Sequence, residues 1–98
     1  MGHKIIFSPR AIADLERIVK TIAKNNPTAA ARVGNALLDK VVILGDFPYL
    51  GSVFPRRPSI RKLVSYPYII YYRPRADDVA IDILHYRHGA QKEPSFTA

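Results

Sequence analysis

Four cations and three proton-bearing side chains set the chemical possibilities of this 98-residue chain. Arg61, Lys62, Arg73 and Arg87 can each hold a phosphate oxygen. His85, Tyr86 and His88 stand close together near the end of a strand-like segment, where they could shuttle protons. Phosphodiester cleavage without a metal needs such a set, because a base must activate a 2′-hydroxyl, cations must stabilise a pentacovalent phosphate, and an acid must protonate the leaving 5′ oxygen. Each residue also has a plainer reading. Arg61 and Arg73 suit a sheet-face salt bridge or stacking on tyrosine, and a lone histidine at a strand end is more often a hydrogen-bonded surface residue than a catalyst.

Positioning these groups requires a sheet. Lys4, Ile5, Ile6 and Phe7 read as a short strand cut off by Ser8-Pro9. Ser8 is a good N-cap and Pro9 fits the first helical position, so a helix follows at once. Ala11, Leu15, Ile18, Val19 and Ile22 form its apolar stripe, with Arg10, Asp14, Arg17, Lys20 and Lys24 largely off it. Asn26 caps a second helix opened by Pro27, with Ala30, Val33, Leu37, Val41 and Leu44 facing the core and Gly45 closing it. Residues 9–45 therefore form an antiparallel helical hairpin.

From residue 46 to residue 59, Pro48, Gly51, Pro55 and Pro58 deny the chain regular structure, with Gly51 permitting a turn. Phe47, Tyr49, Leu50, Val53 and Phe54 are too apolar for a free linker, so some should tuck under the hairpin; Phe47-Pro48 should end the helix while burying the aromatic. Residues 60–65, 68–73 and 79–87 are rich in Ile, Val and Tyr and read as an antiparallel meander. With the first strand in the same sheet, the fold class is α+β in the order β-α-α-β-β-β, an antiparallel sheet with a two-helix hairpin on one face. Strict alternation puts Val79, Ile81, Ile83, His85 and Arg87 on one face of the last strand and Ala80, Asp82, Leu84, Tyr86 and His88 on the other. Tyr68, Ile70 and Tyr72 likewise share a face opposite Ile69, Tyr71 and Arg73.

Length allows one domain over residues 1–98, with an ordered core near 4–90 and a tail over 91–98 in which Phe96 is the one anchor. The absence of cysteine removes disulfides, thiolate metal sites and cysteine nucleophiles, and fits a reducing compartment. No apolar run reaches the length of a membrane span and no signal peptide is visible, so the expectation is a cytoplasmic protein without membrane contact, metal or cofactor. The formal net charge of +7 calls for an anionic partner. Most of the excess falls between Asp46 and Asp77, where no acid occurs and Arg56, Arg57, Arg61, Lys62, Arg73 and Arg75 all do.

Four sequence blocks, taken in chain order, carry a family resemblance. The helix with Ala11-Ile12-Ala13-Asp14-Leu15-Glu16-Arg17-Ile18 leads through Asn25-Asn26-Pro27 into Ala29-Ala30-Ala31-Arg32. Leu44-Gly45-Asp46-Phe47-Pro48-Tyr49-Leu50-Gly51 is similar to the family's F-P-x-L-G corner. Ile60-Arg61-Lys62-Leu63-Val64 followed by Tyr68-Ile69-Ile70-Tyr71-Tyr72-Arg73 resembles its central hairpin, and Val79 to Gly89 its closing strand.

In this order and spacing the four blocks resemble the RelE/ParE superfamily of toxins, which implies a toxin of a type II toxin–antitoxin pair and two mechanisms. One is a ribosome-dependent mRNA endonuclease, for which Arg61, Lys62, Arg73, His85, Tyr86 and Arg87 are the catalytic candidates. Nucleases of this kind that rely on a glutamate base find no acid here in the middle strands, and those that rely on lysines find only Lys62. The other, favoured by the helix and corner wording, is a ParE-like, non-catalytic inhibitor of DNA gyrase. Its target-binding candidates are Arg56, Arg57, Arg61 and Lys62 in one segment and Arg87, His88 and Lys92 in another. Both imply a cognate antitoxin, ParD-like or related, that folds on binding and brings the pair to operator DNA. A third reading, outside the family, is a nucleic-acid-binding module with Tyr66, Tyr68, Tyr71 and Tyr72 as stacking platforms beside arginines.

Overall fold

The computed structural model describes residues 2–96. Its elements are β1 (Lys4–Phe7), α1 (Pro9–Ala23), α2 (Pro27–Asp46), β2 (Ser52–Phe54), β3 (Arg57–Ser65), β4 (Tyr68–Arg75) and β5 (Ala80–His88). One five-stranded sheet has the order β1-β5-β4-β3-β2. Among the described residues no helix is long and apolar enough to cross a membrane.

Both helices begin as their caps dictate. Ser8 Oγ accepts the Ala11 N–H at 3.0 Å and Asn26 Oδ1 accepts the Ala29 N–H at 3.0 Å, each with proline at the next position. Ala11, Leu37, Val41 and Leu44 bury their side chains on Ile70, Tyr72, Ile81, Ile83 and Tyr86, forming the main core between the hairpin and one sheet face. Gly45 does not close α2. It lies buried in the last turn, where its carbonyl accepts the His3 N–H at 2.7 Å and a Cβ would stand 3.5 Å from the His3 carbonyl oxygen.

The sheet is antiparallel except at one edge. β1 runs parallel to β5, with Ile5 beside Ile81 and Phe7 beside Ile83. The loop expected over residues 46–59 holds an additional strand, β2, which pairs with the outer edge of β3. That pairing carries the apolar loop residues away from the helices. Phe47, at 63% exposed, is not buried by the helix end, and Tyr49, Leu50 and Val53 are exposed too. Phe54 alone of that group is buried, on the sheet face opposite the helices, with Ile60 and Tyr71.

Strict alternation fails in β5. Tyr71 pairs with His85 but Tyr72 pairs with Ile83, so Leu84 is an extra, bulged residue. Ile81, Ile83 and Tyr86 consequently share the helix-covered core, whereas Leu84 packs with the Phe54 cluster and His85 stacks on Tyr71. His85 and Tyr86 still point to opposite faces.

Candidate functional site

Where β1 ends, β5 continues as a free edge, and Asp14 of α1 covers it. Asp14 is 4% exposed, although its charge placed it off the apolar stripe. Its Oδ2 accepts the Tyr86 backbone N–H at 3.1 Å and lies 2.5 Å from His85 Nδ1, while Oδ1 accepts from Arg17 Nη2 at 3.0 Å. An ionised carboxylate can only accept, so Nδ1 carries the proton and Nε2 is left as an acceptor. Burial lowers the His85 pKa below 6.5, the hydrogen bond and charge of Asp14 oppose that fall, and Arg10 and Arg17 add to it. The net direction is down, so His85 is a neutral imidazole near neutral pH.

His85 belongs to the sheet face that the helices leave open. That face also carries Lys62, Tyr71 and Arg87, and the C-terminal residues lie across it. Phe96 packs edge-on against Phe54 and tilted on Tyr71, its carbonyl accepts from Arg57 Nη1 at 2.8 Å, and Arg10 sits over its ring. Glu93 pairs with Lys62 at 3.2 Å and approaches Arg87 at 4.0 Å.

Arg87 is spent on structure. Its Nε donates to the Tyr71 hydroxyl at 3.0 Å, and Nη1 reaches the carbonyls of His88, Gly89 and Gln91, stapling the turn that follows β5. Arg73 and Arg75 both bind the buried Asp82, at 3.0 and 2.7 Å. Burial alone would raise the Asp82 pKa, but the Arg75 and Arg73 guanidiniums hold it below the usual carboxylate range. Arg73 thus serves as a sheet-face ion pair.

Arg61 and Tyr86 lie apart from this group. Arg61 donates to the Gly51 carbonyl at 2.8 Å and stacks over the Tyr49 ring, fixing the corner before β2. At the same corner the Gly51 N–H donates to the Tyr72 hydroxyl at 2.8 Å, and a Cβ on Gly51 would meet the Lys62 carbonyl at 2.6 Å. Gly51 is needed for that close approach. Burial raises the pKa of Tyr72, against the hydrogen bond from Gly51 and the charge of Arg61. Tyr86 is wholly buried, its hydroxyl lacks a partner among the described residues, and burial with the nearby Asp14 charge pushes its pKa up to about 12.

The six catalytic candidates are therefore divided. Lys62, Arg73, His85 and Arg87 share the open face, while Arg61 and Tyr86 belong to the helix side. Of the target-binding candidates, Arg56 and Lys92 are exposed, Arg57 and Lys62 are tied to the C-terminal segment, and His88 lines a cleft beside α1. Of the tyrosines, Tyr71 and Tyr72 are buried, Tyr68 is half-buried and Tyr66 is exposed, so no row of free stacking platforms is formed. Among the described residues no three His, Cys, Asp or Glu are grouped to hold a metal ion.

A two-helix hairpin packed on one face of a five-stranded sheet matches the fold of RelE/ParE toxin structures. The chain superposes on a Pseudomonas aeruginosa structure described as a chromosomal ParDE toxin–antitoxin system with a TM-score of 0.72 and 21% identity, covering 88% of this chain and 95% of that one. The Mycobacterium tuberculosis RelBE2 toxin–antitoxin complex gives 0.71 and 20%, covering 93% and 95%, and the isolated Escherichia coli RelE toxin 0.69 and 17%, covering 93% and 88%. At these identities the likeness is one of fold.

Sequence narrows the class. The model of the ParE toxin family of type II toxin–antitoxin systems matches residues 5–93, and the chain belongs to that family. It is also 37% identical over 93 residues to Y4kP of Sinorhizobium fredii, described as a candidate toxin, with 93% of each chain covered.

Proposed function

We propose that this chain is a ParE-like inhibitor of DNA gyrase, acting as a single cytoplasmic domain without cofactor or catalysis and neutralised by a cognate ParD-like antitoxin. The observation that carries the choice of mechanism is the division of the nuclease candidates. Metal-free cleavage needs base, cations and acid at one phosphate. Tyr86, the candidate acid, is buried on the helix side with a pKa near 12, and Arg87 is consumed by backbone carbonyls.

The antitoxin is supported by surface chemistry. Leu38 and Val42 form a short exposed apolar row one turn apart on α2, and Ile43 on α2 and Ile12 on α1 are exposed apolar residues as well. Together with the +7 charge, the row suits an acidic, amphipathic segment that folds on binding. The P. aeruginosa and M. tuberculosis relatives are themselves described as toxin–antitoxin assemblies. Operator DNA would be reached through the antitoxin.

The test is to express the chain from a tightly controlled promoter and assay purified protein in two reactions, gyrase supercoiling of plasmid DNA and mRNA cleavage on translating ribosomes. Growth arrest with lost supercoiling, trapped cleaved DNA and intact mRNA is the expected result. Cleavage of mRNA in the ribosomal A site, abolished by His85→Ala, would overturn it in favour of a nuclease built on the open face.

A further inference from the structure

The C-terminal segment lies across the open sheet face without joining the sheet. Beyond Gln91 it makes no backbone–backbone hydrogen bond among the described residues. Side chains hold it instead. The Phe96 ring sits 5.4 Å from the Tyr71 ring, 5.8 Å from Phe54 and 6.5 Å from His85, with the Arg10 guanidinium 5.8 Å above its centre. The Phe96 carbonyl accepts from Arg57. Three residues earlier Glu93 meets Lys62 and approaches Arg87, and the next residue, Pro94, is buried.

The cage around Phe96 is built by contacts that do not involve the tail. The Tyr71 hydroxyl is fixed by Arg87 Nε, His85 is fixed by Asp14, and Phe54 packs edge-on to Tyr71 at 5.7 Å in a cluster with Ile60. Without the tail this aromatic floor, ringed by Arg10, Arg57 and Lys62, would face water. It is a preorganised slot for an aromatic side chain with an anion at a set spacing.

The tail matches the slot in shape better than in charge. Residues 91–96 bring one carboxylate, Glu93, to four cations, Arg10, Arg57, Lys62 and Arg87. Among the described residues no carboxylate pairs with Arg10 or Arg57. The Glu93–Lys62 pair is partly exposed on both sides and therefore holds the tail only weakly. A segment with further acids around the same aromatic would make ion pairs that the tail cannot.

We propose that the open face carries a peptide-binding slot that the chain's own Glu93–Phe96 segment fills in cis, and that an acidic partner segment with an aromatic residue three positions after a carboxylate displaces it. The partner's ring takes the Phe96 cage, its carboxylate takes Lys62 and Arg87, and flanking acids reach Arg10 and Arg57. The tail is a tethered competitor, which sets the affinity a partner must exceed. The slot lies on the sheet face opposite the helices, apart from the exposed apolar residues of α2. This inference stands whether the toxin's target is gyrase or the ribosome.

The experiment is NMR titration of the intact chain with acetyl-Glu-Glu-Pro-Glu-Phe-Glu-amide, with its scramble acetyl-Phe-Glu-Glu-Pro-Glu-Glu-amide, and with the tail copy acetyl-Lys-Glu-Pro-Ser-Phe-Thr-amide. Saturation with the acidic peptide should shift the Tyr71 and His85 ring signals and move the Glu93 and Phe96 amides to unstructured positions. In a folded chain carrying Glu93→Gln and Phe96→Ala, that peptide should bind about tenfold more tightly, because the tethered competitor is weakened. It should also bind more tightly than the tail copy, with the gap narrowing as salt rises. Tail amides that stay in place at saturation, equal binding of the scramble, or equal affinity of parent and variant would each overturn the proposal. So would a single-stranded oligonucleotide that releases the tail at lower concentration than the peptide, which would make the slot a nucleic-acid face. A parent dimer that is lost in the variant would assign the slot to a second copy's tail and overturn it as well.

Discussion

The carboxylate of Asp14 in α1 and the imidazole of His85 in β5, 71 residues apart in the chain, meet at 2.5 Å and join the first helix to the last strand. The same carboxylate takes the Tyr86 N–H, so it completes the hydrogen bonding of β5 where β1 no longer reaches. Asp14→Ala leaves both donors unpaired beneath the helix and is expected to cost about 2–3 kcal/mol. Urea denaturation checks this. A loss below about 0.5 kcal/mol, the scale of an ordinary surface change, would contradict the edge-covering role.

The same pair sets a pH dependence. Burial holds the folded His85 pKa below 6.5, so from 6.5 downward the unfolded chain binds a proton that the folded chain resists. Stability is therefore full above 6.5, falls as pH drops towards the folded pKa, and levels off below it. Denaturation midpoints across this range, compared with His85→Gln, should show that slope in the parent and lose it in the variant.

Tyr86→Phe removes the orphaned hydroxyl without opening a cavity. The folded chain no longer carries a buried polar group lacking a partner, so stability should rise by about 1 kcal/mol. In a domain of this size that is about 4–8 °C in Tm. A fall in Tm would mean that the hydroxyl is satisfied in solution.

Local signals were legible and edge signals were not. Ser8 and Asn26 mark the helix starts because a cap is a contact within three residues, and the two apolar stripes follow from helical period alone. Asp14 escaped because its charge suggested solvent, although its place three residues after Ala11 and four before Ile18 puts it on the border of the stripe. The Leu84 bulge shifts the register after Ile83, and nothing in Ile81-Asp82-Ile83-Leu84-His85 marks it, since no glycine is needed there. The direction taken by Phe47 and Phe54 depends on β2 pairing with β3, a contact between segments that neither segment announces. The division of the candidate site follows from sheet-face parity, which Arg61 and Lys62 display as neighbours but which the bulge redefines for His85 and Tyr86.

The corner held by Gly51 offers a sharper test of that long-range packing. A Cβ there would stand 2.6 Å from the Lys62 carbonyl and 2.8 Å from the Tyr72 ring, both inside the fold. Gly51→Ala must push β2 off β3 and is expected to cost roughly 1–3 kcal/mol. Tyr72→Phe, which removes the acceptor for the Gly51 N–H, should cost about 1–3 kcal/mol for the donor left unpaired. Because both act on one contact, the double variant should lose less than the sum, and full additivity in a denaturation cycle would refute the coupling.

Charge reversal separates target binding from folding. Arg56 and Lys92 are exposed and sit in the two basic segments, whereas Arg87 is buried and staples the turn after β5. Arg56→Glu with Lys92→Glu should leave stability within about 0.5 kcal/mol of the parent, since neither side chain is packed. If these cations steer the chain onto its target, the double variant inhibits supercoiling less and arrests growth less, with the difference from the parent narrowing as salt rises. Arg87→Ala should instead lower Tm first, and any loss of toxicity should track the unfolded fraction. Full toxicity of the charge-reversed chain would move the target-binding surface elsewhere, to the apolar rim formed by Tyr49, Leu50 and Val53 beside β2.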